Sequence, residues 1–218
     1  MNRDNLIIAV DGPAGSGKST VANLLAEKLN GRKLDTGAIY RSFAWFMIQN
    51  DISLEGGNID NLVESFDISF SDGKIFINDT DVTHSIRTPE ISSAASKVAV
   101  RPEIRNALFS TQRKLASPGP TVCEGRDMGT VVFPDAPFKF FLTATPEKRA
   151  MRRFLELSER GDKTPFEDIL RQQIERDKRD SERDIAPLRA AEDATVIDSS
   201  EMTAVQVVDF ILDIISNH

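Results

Sequence analysis

The chain has 218 residues, of which 40% are hydrophobic and 28% charged, and its formal net charge is −7. This length is enough for one domain with a sizeable core, or for one domain that carries an insert. The acidic balance opposes binding to a polynucleotide. One Cys and two His exclude a disulfide framework and argue against a protein-bound transition metal.

Apolar residues near the N-terminus form only a short run, Leu6–Val10. This run is too short for the hydrophobic region of a signal peptide or for a membrane span, so we expect a cytoplasmic protein. A continuous apolar run of this length predicts a buried parallel strand. Apolar residues at helical spacing follow from Val21 to Leu29, and Asn30-Gly31 predicts the end of that helix. A second helix is predicted from about Ala38 to Asn50.

The middle of the chain alternates apolar and polar residues over Asp67–Ser71 and Lys74–Asn78, on either side of Asp72-Gly73. This pattern predicts a β-hairpin. Two helices are predicted next, because Pro89 and Pro102 each suit a first helical turn. Residues 117–120 (Ser-Pro-Gly-Pro) predict a non-helical segment.

The last hundred residues predict alternating strands and helices. Thr121–Glu124, Phe138–Ala144 and Ala194–Asp198 are predicted strands, and Pro146–Arg160 is a predicted helix. Capping boxes at Thr164-x-x-Glu167 and Thr203-x-x-Gln206 predict two more helices. The first of these is expected to run to about Asp184. The apolar face of the second is predicted to be Val205, Val208, Ile211, Leu212 and Ile215. This alternation predicts an α/β fold with a parallel core sheet flanked by helices, and the hairpin region, about 55–100, is a mixed α+β insert in it.

Residues 12–19 read Gly-Pro-Ala-Gly-Ser-Gly-Lys-Ser, which matches G-x-x-x-x-G-K-[ST] between a predicted strand and a predicted helix. Glycines let successive backbone N–H groups converge on phosphate oxygens, and the helix N-terminus adds partial positive charge. We expect Lys18 to reach the β- and γ-phosphates and the Ser19 hydroxyl to ligate Mg²⁺. The motif predicts binding of a nucleoside triphosphate but does not specify the reaction.

Arginines recur at places where an acidic protein has no structural need for them. Arg41 lies among apolar residues of a predicted helix, and Arg126-Asp127 follows a predicted strand, where α/β sheets bind ligands. Arg176, Asp180 and Arg183 are spaced to share one helical face. Guanidinium groups bind phosphate in a bidentate manner, so these positions favour an anion site over a solvated charged surface. A second basic group lies on the predicted helix before Gly161. For this group a solvated basic surface is as good an interpretation as a functional site: Lys148, Arg149, Arg152 and Arg153.

Five motifs together resemble bacterial cytidylate kinases. They are Asp-Gly-Pro-Ala-Gly-Ser-Gly-Lys-Ser-Thr from Asp11, Asp-Thr-Gly-Ala-Ile-Tyr-Arg from Asp35, Ile-Arg-Thr-Pro-Glu from Ile86, Glu-Gly-Arg-Asp-Met-Gly-Thr-Val-Val-Phe-Pro-Asp from Glu124, and Arg-Asp-x-x-Asp-x-x-Arg from Arg176. The resemblance covers nearly the whole chain. It implies a P-loop nucleoside monophosphate kinase that phosphorylates CMP and dCMP with ATP and Mg²⁺. It also implies a monomer with small-molecule substrates only, without nucleic acid or membrane partners.

The resemblance also implies roles for individual residues. ATP would bind at Gly12, Pro13, Ala14, Gly15, Ser16, Gly17, Lys18, Ser19 and Thr20. Arg41, Arg126 and Arg183 would bind the CMP phosphate. Ser96, Arg105 and Asp127 would recognise cytosine, while Tyr40, Arg176 and Asp180 would lie along the sugar. Arg152 and Arg153 match lid arginines that close over the transferring phosphoryl group, so the implied catalytic set is Lys18, Arg126, Arg152, Arg153 and Arg183. Thr36, in the substrate-binding region, and Glu124 replace the Ser and Asp that are usual in the family.

The implied domain organisation is a single domain over 1–218. Its core would be about 1–36, 116–150 and 185–218, the monophosphate-binding region with the insert about 37–115, and the lid about 151–168. Three rival functions stay open to test. One is a kinase for UMP or a hydroxylated metabolite, against which the cytosine-recognising positions argue. The second is a GTPase switch, but the sequence lacks the N-K-x-D motif of such proteins. The third is a nucleic-acid-dependent ATPase, and the sequence lacks the aromatic-rich basic stretch that this function would need.

Overall fold

The structure is a computed structural model that describes residues 6–116 and 119–217. The non-helical segment predicted at 117–120 therefore lies partly outside the described residues. The chain forms two compact units. The first unit comprises the described parts of Met1–Leu34 and Ala116–His218, and the second unit comprises Asp35–Leu115.

Strands and helices alternate along much of the chain, as the sequence predicts. The strands are β1 (Ile7–Asp11), β2 (Arg32–Asp35), β3 (Ile68–Ser71), β4 (Lys74–Ile77), β5 (Thr80–Asp81), β6 (Thr121–Gly125), β7 (Phe138–Thr143) and β8 (Thr195–Asp198). The helices are α1 (Lys18–Lys28), α2 (Thr36–Gln49), α3 (Asp60–Glu64), α4 (Pro89–Val98), α5 (Pro102–Leu115), α6 (Pro146–Glu159), α7 (Phe166–Glu182) and α8 (Ala204–Ser216). A 3₁₀ turn covers Ser85–Arg87 and a π-helical turn covers Met128–Val132.

The first unit is built on a five-stranded sheet in the order β2-β6-β1-β7-β8. The pairs β1–β6, β1–β7 and β7–β8 are parallel, and Asp11 at the end of β1 lies beside Gly125 at the end of β6. The loops that leave β1 and β6 therefore start at the same edge of the sheet. In open α/β sheets this carboxyl edge is where ligands bind.

The core of the first unit lies between the sheet and the helices α1 and α8. Ile8, Leu25, Phe140 and Ile211 are each no more than 2% exposed and belong to one apolar cluster. Fully burying such side chains contributes about 1.5–3 kcal/mol each. This packing holds β1 and α1 in place, and with them the loop that joins the two elements.

The second unit confirms the predicted hairpin. β3 and β4 pair antiparallel, with Ser71 opposite Lys74, and β5 adds a third strand. Asp72 and Gly73 both have positive φ, 51° and 74°, as a two-residue hairpin turn with the favoured twist requires. The helices α4 and α5 begin at the two predicted prolines.

Several details differ from the prediction. β2 was not predicted, and α2 begins two residues earlier than expected because the Asp35 carboxylate accepts a hydrogen bond from the Ala38 N–H at 2.8 Å. The capping box at Thr164 is wrong. Its hydroxyl donates instead to the Asp162 carboxylate at 2.6 Å, and α7 begins without a side-chain cap. A charged acceptor two residues away competes better for the hydroxyl than a helix N–H.

The capping box at Thr203 is confirmed, and it opens α8. The predicted apolar face of α8 is wrong at Val205, which is 58% exposed, while Val207 is buried. Within residues 6–116 and 119–217, no helix combines the length and the apolar character needed to cross a membrane.

Candidate active site

The loop between β1 and α1 has the backbone of a phosphate-binding nest. Gly15 and Gly17 have φ of 74° and 92°, a region that side-chain-bearing residues rarely adopt. A Cβ at Gly12 would lie 2.0 Å from the Leu142 carbonyl oxygen, so only glycine fits there. Gly17 caps α1 without a side chain, which leaves the N–H groups of the first turn available to an anion.

Lys18 lies under this loop and is only 6% exposed. Its ammonium donates to the Pro13 carbonyl at 2.6 Å and to the Ser16 hydroxyl at 3.3 Å. Burial and the nearby Arg126 guanidinium lower the pKa of Lys18 well below its usual range, and Glu124 offsets part of that shift. An anion bound at the loop would favour the charged ammonium again.

Glu124, at the end of β6, faces the start of α1. The Ser19 hydroxyl donates to both of its carboxylate oxygens, at 2.7 and 2.8 Å, and the Lys33 ammonium is 3.3 Å from Oε1. A hydroxyl and a carboxylate are the hard oxygen donors that suit Mg²⁺. Ser19 and Glu124 therefore fit a magnesium ion that takes its remaining ligands from phosphates and water.

Asp11, the last residue of β1, is buried and accepts hydrogen bonds from the N–H groups of Met128 and Gly129, at 2.9 and 2.8 Å. Burial raises the pKa of this carboxyl to about 6, although the two hydrogen bonds act in the opposite direction. The contact fixes the π-helical turn directly after Arg126 and Asp127. Asp11 thus positions the two site residues that leave β6.

Arg126, Arg176 and Asp180 form one cluster in the first unit. Arg126 Nε is 3.1 Å from Asp180 Oδ2, and Arg176 Nε is 4.0 Å from the same oxygen. Burial raises the pKa of Asp180, but Arg126 and Arg176 outweigh burial and hold that pKa below its usual range. The sequence prediction that these residues come together is consistent with this geometry.

Arg183 is the residue that ends α7. Its φ of −65° is helical and only its ψ of 141° is extended, so its Cβ still follows the helical spacing of Arg176 and Asp180, and its charge contributes to lowering the pKa of Asp180. Its Nε donates to the Ala186 carbonyl at 2.6 Å, and its Nη2 is 3.6 Å from Asp127 Oδ1. Both side chains of this ion pair are about 95% buried. This ion pair therefore connects the C-terminal end of α7 with the loop after β6.

The four basic residues of α6 have different surroundings. Arg149 is buried and bonds to the loop between β1 and α1, whereas Lys148 pairs with Glu201 at the surface. Arg152 donates to the Ser16 carbonyl at 3.2 Å and to the Ser199 carbonyl at 2.6 Å. Arg153 pairs with Glu156 on its own helix at 2.8 Å.

A cavity of about 260 Å³ opens next to Gly17 in the first unit. Residues of the phosphate-binding loop, α1, α6 and the start of α8 line it: Ser16, Gly17, Thr20, Val21, Arg152, Ser199, Met202, Thr203, Ala204 and Val207. The mixture of apolar walls with a few polar groups is typical of a small-molecule site.

The second unit carries the remaining predicted residues. Arg41 pairs with Asp35 at 2.9 Å, and Thr36 is buried one residue further on. The Arg105 guanidinium stacks over the Tyr40 ring at 5.8 Å and donates to the Ala99 carbonyl. The buried Ser96 hydroxyl has no hydrogen-bond partner within the described chain.

Sequence reasoning missed three residues of the first-unit site: Asp11, Lys33 and Arg149. Asp11 belongs to the phosphate-binding motif but has no sequence signal of its own, and Lys33 lies on β2, the strand that the sequence does not predict. Arg149 was weighed as part of a basic surface. Its burial depends on contacts with the Ala144 carbonyl and with Asp177 of α7, which local sequence does not signal.

Comparison with known proteins assigns the family. A family model described as cytidylate kinase matches residues 8–217. A cytidylate kinase from Carboxydothermus hydrogenoformans is 46% identical over 213 residues, which cover 95% of this chain and 96% of that protein. One from Thermosipho melanesiensis is 46% identical over 208 residues, 95% of each. A solved structure of an uncharacterized protein from Eubacterium ventriosum shares the fold, with a TM-score of 0.50 at 15% identity over 98% of this chain and 99% of that chain.

The parallel sheet and the phosphate-binding loop after its central strand define a P-loop kinase, and the curated relatives make it a nucleoside monophosphate kinase, a transferase. The family model matches almost the entire chain, and the relatives are 46% identical over nearly their full length. The chain therefore belongs to the cytidylate kinase family. The fold class and the family resemblance predicted from sequence are confirmed.

Proposed function

We propose that this protein transfers the γ-phosphate of ATP to CMP and dCMP, and produces CDP and dCDP. The observation that carries the proposal is the phosphate-binding loop with its buried Lys18, at the same sheet edge as the cluster of Arg126, Arg176 and Asp180, in a chain of the cytidylate kinase family. The loop suits a triphosphate, and the cluster after β6 suits a second anionic nucleotide.

ATP is the proposed donor. Its phosphates would be bound by the backbone of residues 12–20 and by Lys18, in a nest that ends at the α1 N-terminus. The cavity beside Gly17 is next to this loop, and we propose that the adenine base enters it. Arg152 supplies a planar cation at the cavity wall, and Met202 and Val207 supply apolar surface.

Mg²⁺ is the proposed metal, with Ser19 as its ligand and Glu124 beside it. When bound, the ion would neutralise charge on the triphosphate oxygens. Ser19 and Glu124 are already oriented by the hydrogen bonds between them. The longer Glu side chain in place of Asp keeps the carboxylate within reach of the Ser19 hydroxyl.

The acceptor roles are proposed for each unit in turn. In the first unit, Arg126 and Arg183 bind the CMP phosphate, Arg176 and Asp180 contact the sugar, and Asp127 accepts the cytosine amino group. In the second unit, Arg41 binds the CMP phosphate, Tyr40 lies along the sugar, and Ser96 and Arg105 recognise the base. Thr36 is a further substrate-binding residue. The charge of the clusters supports these roles, since guanidinium groups outnumber the carboxylates around Asp180.

Catalysis needs little covalent chemistry from the protein. Phosphoryl transfer passes through a loose transition state whose charge is spread over the equatorial oxygens, so positioned cations supply most of the acceleration. The CMP phosphate is a competent nucleophile at neutral pH. Lys18, Arg126 and Arg183 are the proposed stabilising cations, with Arg152 and Arg153 from a lid at about 151–168 that closes and excludes water.

The remaining proposals concern the whole chain. We propose a single functional domain with the boundaries given above, a monomer, and small-molecule substrates without a nucleic-acid partner. The net charge of −7 supports the last point, and the single buried cysteine suits the reducing cytoplasm.

The test is an ADP-release assay with ATP, Mg²⁺ and each ribo- and deoxyribonucleoside monophosphate in turn. We expect turnover with CMP and dCMP, and at least tenfold lower kcat/KM with UMP. Turnover of UMP equal to that of CMP would reduce the proposal to an unspecified monophosphate kinase. ATP turnover without any monophosphate would support an ATPase or a switch instead.

A further inference from the structure

Cations and a hydroxyl bind the backbone carbonyls of the phosphate-binding loop. The carbonyl of Pro13 accepts a hydrogen bond from Lys18 Nζ at 2.6 Å, and the carbonyl of Ala14 accepts one from Arg149 Nη1 at 3.1 Å. The carbonyl of Ser16 accepts from Arg152 Nη1 at 3.2 Å and from Ser199 Oγ at 3.1 Å. Three peptide units of one short loop are thus fixed by side chains.

Fixing a carbonyl also fixes the N–H group of the next residue. In a trans peptide the C=O and the following N–H point in opposite directions from one rigid plane. The Arg149 bond to the Ala14 carbonyl therefore directs the Gly15 N–H to the opposite side, toward the interior of the nest. Because glycine resists rotation weakly, the peptide between Ala14 and Gly15 would otherwise reorient at little cost.

Arg149 is itself held rigidly, which is what a positioning group needs. Its side chain is 4% exposed, its Nε donates to the Ala144 carbonyl at 2.9 Å, and its Nη1 is 2.6 Å from Asp177 Oδ2. A buried guanidinium requires a paired carboxylate, and Asp177 of α7 supplies it. The Arg149 carbonyl in turn accepts from Gln173 Nε2 of the same helix at 3.3 Å.

The space around Gly15 supports the same conclusion. A Cβ at Gly15 would lie 3.0 Å from both the Cβ and the carbonyl oxygen of Arg149, and 3.1 Å from Gln173 Nε2. The loop is therefore in van der Waals contact with α6 and α7 at this residue. A side chain at Gly15 would therefore require Arg149 or Gln173 to move.

We propose that Arg149 is a positioning residue for ATP binding, and that Asp177 holds it in place. Arg149 does not contact the phosphates in this assignment. It keeps the Gly15 N–H directed at them, so the nest is formed before the nucleotide arrives and no binding free energy is spent on ordering it. The inference rests on the proposed function, in that the loop binds the phosphates of ATP.

The first test replaces Arg149 by Lys, which keeps the positive charge but carries all its donors on one nitrogen, so it cannot reproduce the bonds that Arg149 makes from both Nε and Nη1. Binding of ADP and of CMP is measured by calorimetry, well below the unfolding temperature of each variant. We expect ADP to bind roughly ten- to a hundredfold more weakly, as for loss of a hydrogen bond to a charged group. CMP binding should stay within about twofold, because the acceptor clusters do not include Arg149.

A second variant keeps the test decisive if Arg149→Lys unfolds. Arg149→Met combined with Asp177→Leu replaces the buried ion pair by an apolar pair, which proteins generally tolerate. We expect this double variant to melt close to the wild type and still to bind ADP weakly. Arg171→Met, which removes an exposed arginine of α7 paired with Asp168, is the matched control and should bind both nucleotides normally.

The outcomes separate the inference from the proposed function. Wild-type ADP affinity in the folded double variant would overturn the positioning role, as would equal losses for ADP and CMP. If the wild type itself binds no ADP, the proposed function fails and the inference falls with it. If the wild type binds ADP and phosphorylates CMP while the Arg149 variants behave normally, only the inference is wrong.

Discussion

The two units of this protein hold their predicted site residues in different ways. In the first unit, Lys18, Ser19 and Arg126 each have protein partners closer than about 3.3 Å, and their positions are fixed before any nucleotide binds. In the second unit, the Ser96 hydroxyl has no partner in the described chain, and Arg41 bonds to a carboxylate that is itself about a quarter exposed. These first-unit residues are preorganised, whereas the Ser96 hydroxyl of the second unit keeps hydrogen-bonding capacity for a ligand.

This contrast has a functional meaning. A preorganised cation stabilises developing charge without further rearrangement, so its loss should lower kcat. A polar group that completes its hydrogen bonds only with substrate contributes mainly to affinity and selectivity, so its loss should raise KM. The predictions below test whether loss of a preorganised group lowers kcat and loss of an unsatisfied polar group raises KM. The calorimetric test of Arg149 addresses preorganisation of the loop for ATP binding.

The largest effect is expected for Lys18→Ala. Removing the buried ammonium takes away the main cation at the triphosphate and also frees the Pro13 carbonyl, so turnover should fall about a thousandfold or more. The ADP-release assay measures the loss, and thermal unfolding checks the fold. Lys28→Ala, at the exposed end of the same helix, is the control and should retain full activity. Activity near normal in a folded Lys18→Ala protein would contradict the donor site.

Base selectivity is expected to change next. A carboxylate only accepts hydrogen bonds, so Asp127 suits the amino group at cytosine position 4 and repels the uracil carbonyl. The wild type should prefer CMP over UMP roughly ten- to a hundredfold in kcat/KM. Asp127→Asn should narrow this gap, mainly by loss of CMP activity.

Ser96→Ala, in the second unit, is compared with Asp127→Asn, in the first unit, in the same measurement of CMP and UMP turnover. The Ser96 hydroxyl rotates to donate or to accept, so its removal should alter the CMP to UMP ratio less than Asp127→Asn does. An unchanged ratio in Asp127→Asn would show that Asp127 does not recognise the base.

Asp180→Ala should raise KM for CMP and dCMP roughly tenfold, through loss of a buried acceptor for the ribose hydroxyl. KM for ATP should be nearly unchanged. Since Asp180 also holds Arg126 at 3.1 Å, a smaller fall in kcat should accompany the effect. Steady-state kinetics with each substrate varied in turn measures the split. Asp168→Ala, on the exposed side of α7, is the control, and equal KM increases for ATP and CMP would indicate damage to the helix instead.

The smallest effect is expected for Lys33→Met. The Lys33 ammonium is 3.3 Å from Glu124 Oε1 and competes with a divalent cation for that carboxylate. Partly exposed ion pairs are weak, so the Mg²⁺ concentration for half-maximal activity should fall only about two- to fivefold. Binding of Mn²⁺ in the presence of ADP, followed by electron paramagnetic resonance, provides a readout independent of turnover. A higher metal requirement would contradict the competition.

The parts of the fold that sequence predicts best are those set by neighbouring residues. The phosphate-binding loop, the Asp72-Gly73 hairpin and the Thr203 capping box each depend on local backbone chemistry, and all three are confirmed. β2 was missed because Arg32–Asp35 is short and polar, and only its pairing partner in the sheet makes it a strand. Thr164 shows that a local motif fails when a stronger acceptor lies two residues away.

The site divides in the same way. The glycines and Lys18 belong to a motif that can be identified from the spacing of its residues alone. Arg149 looks like part of an exposed basic run, because its burial depends on Asp177, 28 positions along the chain, and on the Ala144 carbonyl directly after β7. The helical spacing of Arg183 gives no sign of its ion pair with Asp127 in the loop after β6. Contacts between distant segments are not readable from periodicity.

Cys123 gives the molecule a property unrelated to its catalysis. The thiol lies in β6, one residue before Glu124, with no exposed surface, and burial raises its pKa to about 12. A thiol in this state is a poor target for oxidants and alkylating reagents, because the thiolate is the reactive form. The folded enzyme should therefore be indifferent to redox conditions. An alkylating reagent would react only when the central sheet opens, so this single side chain reports unfolding of the site's own scaffold.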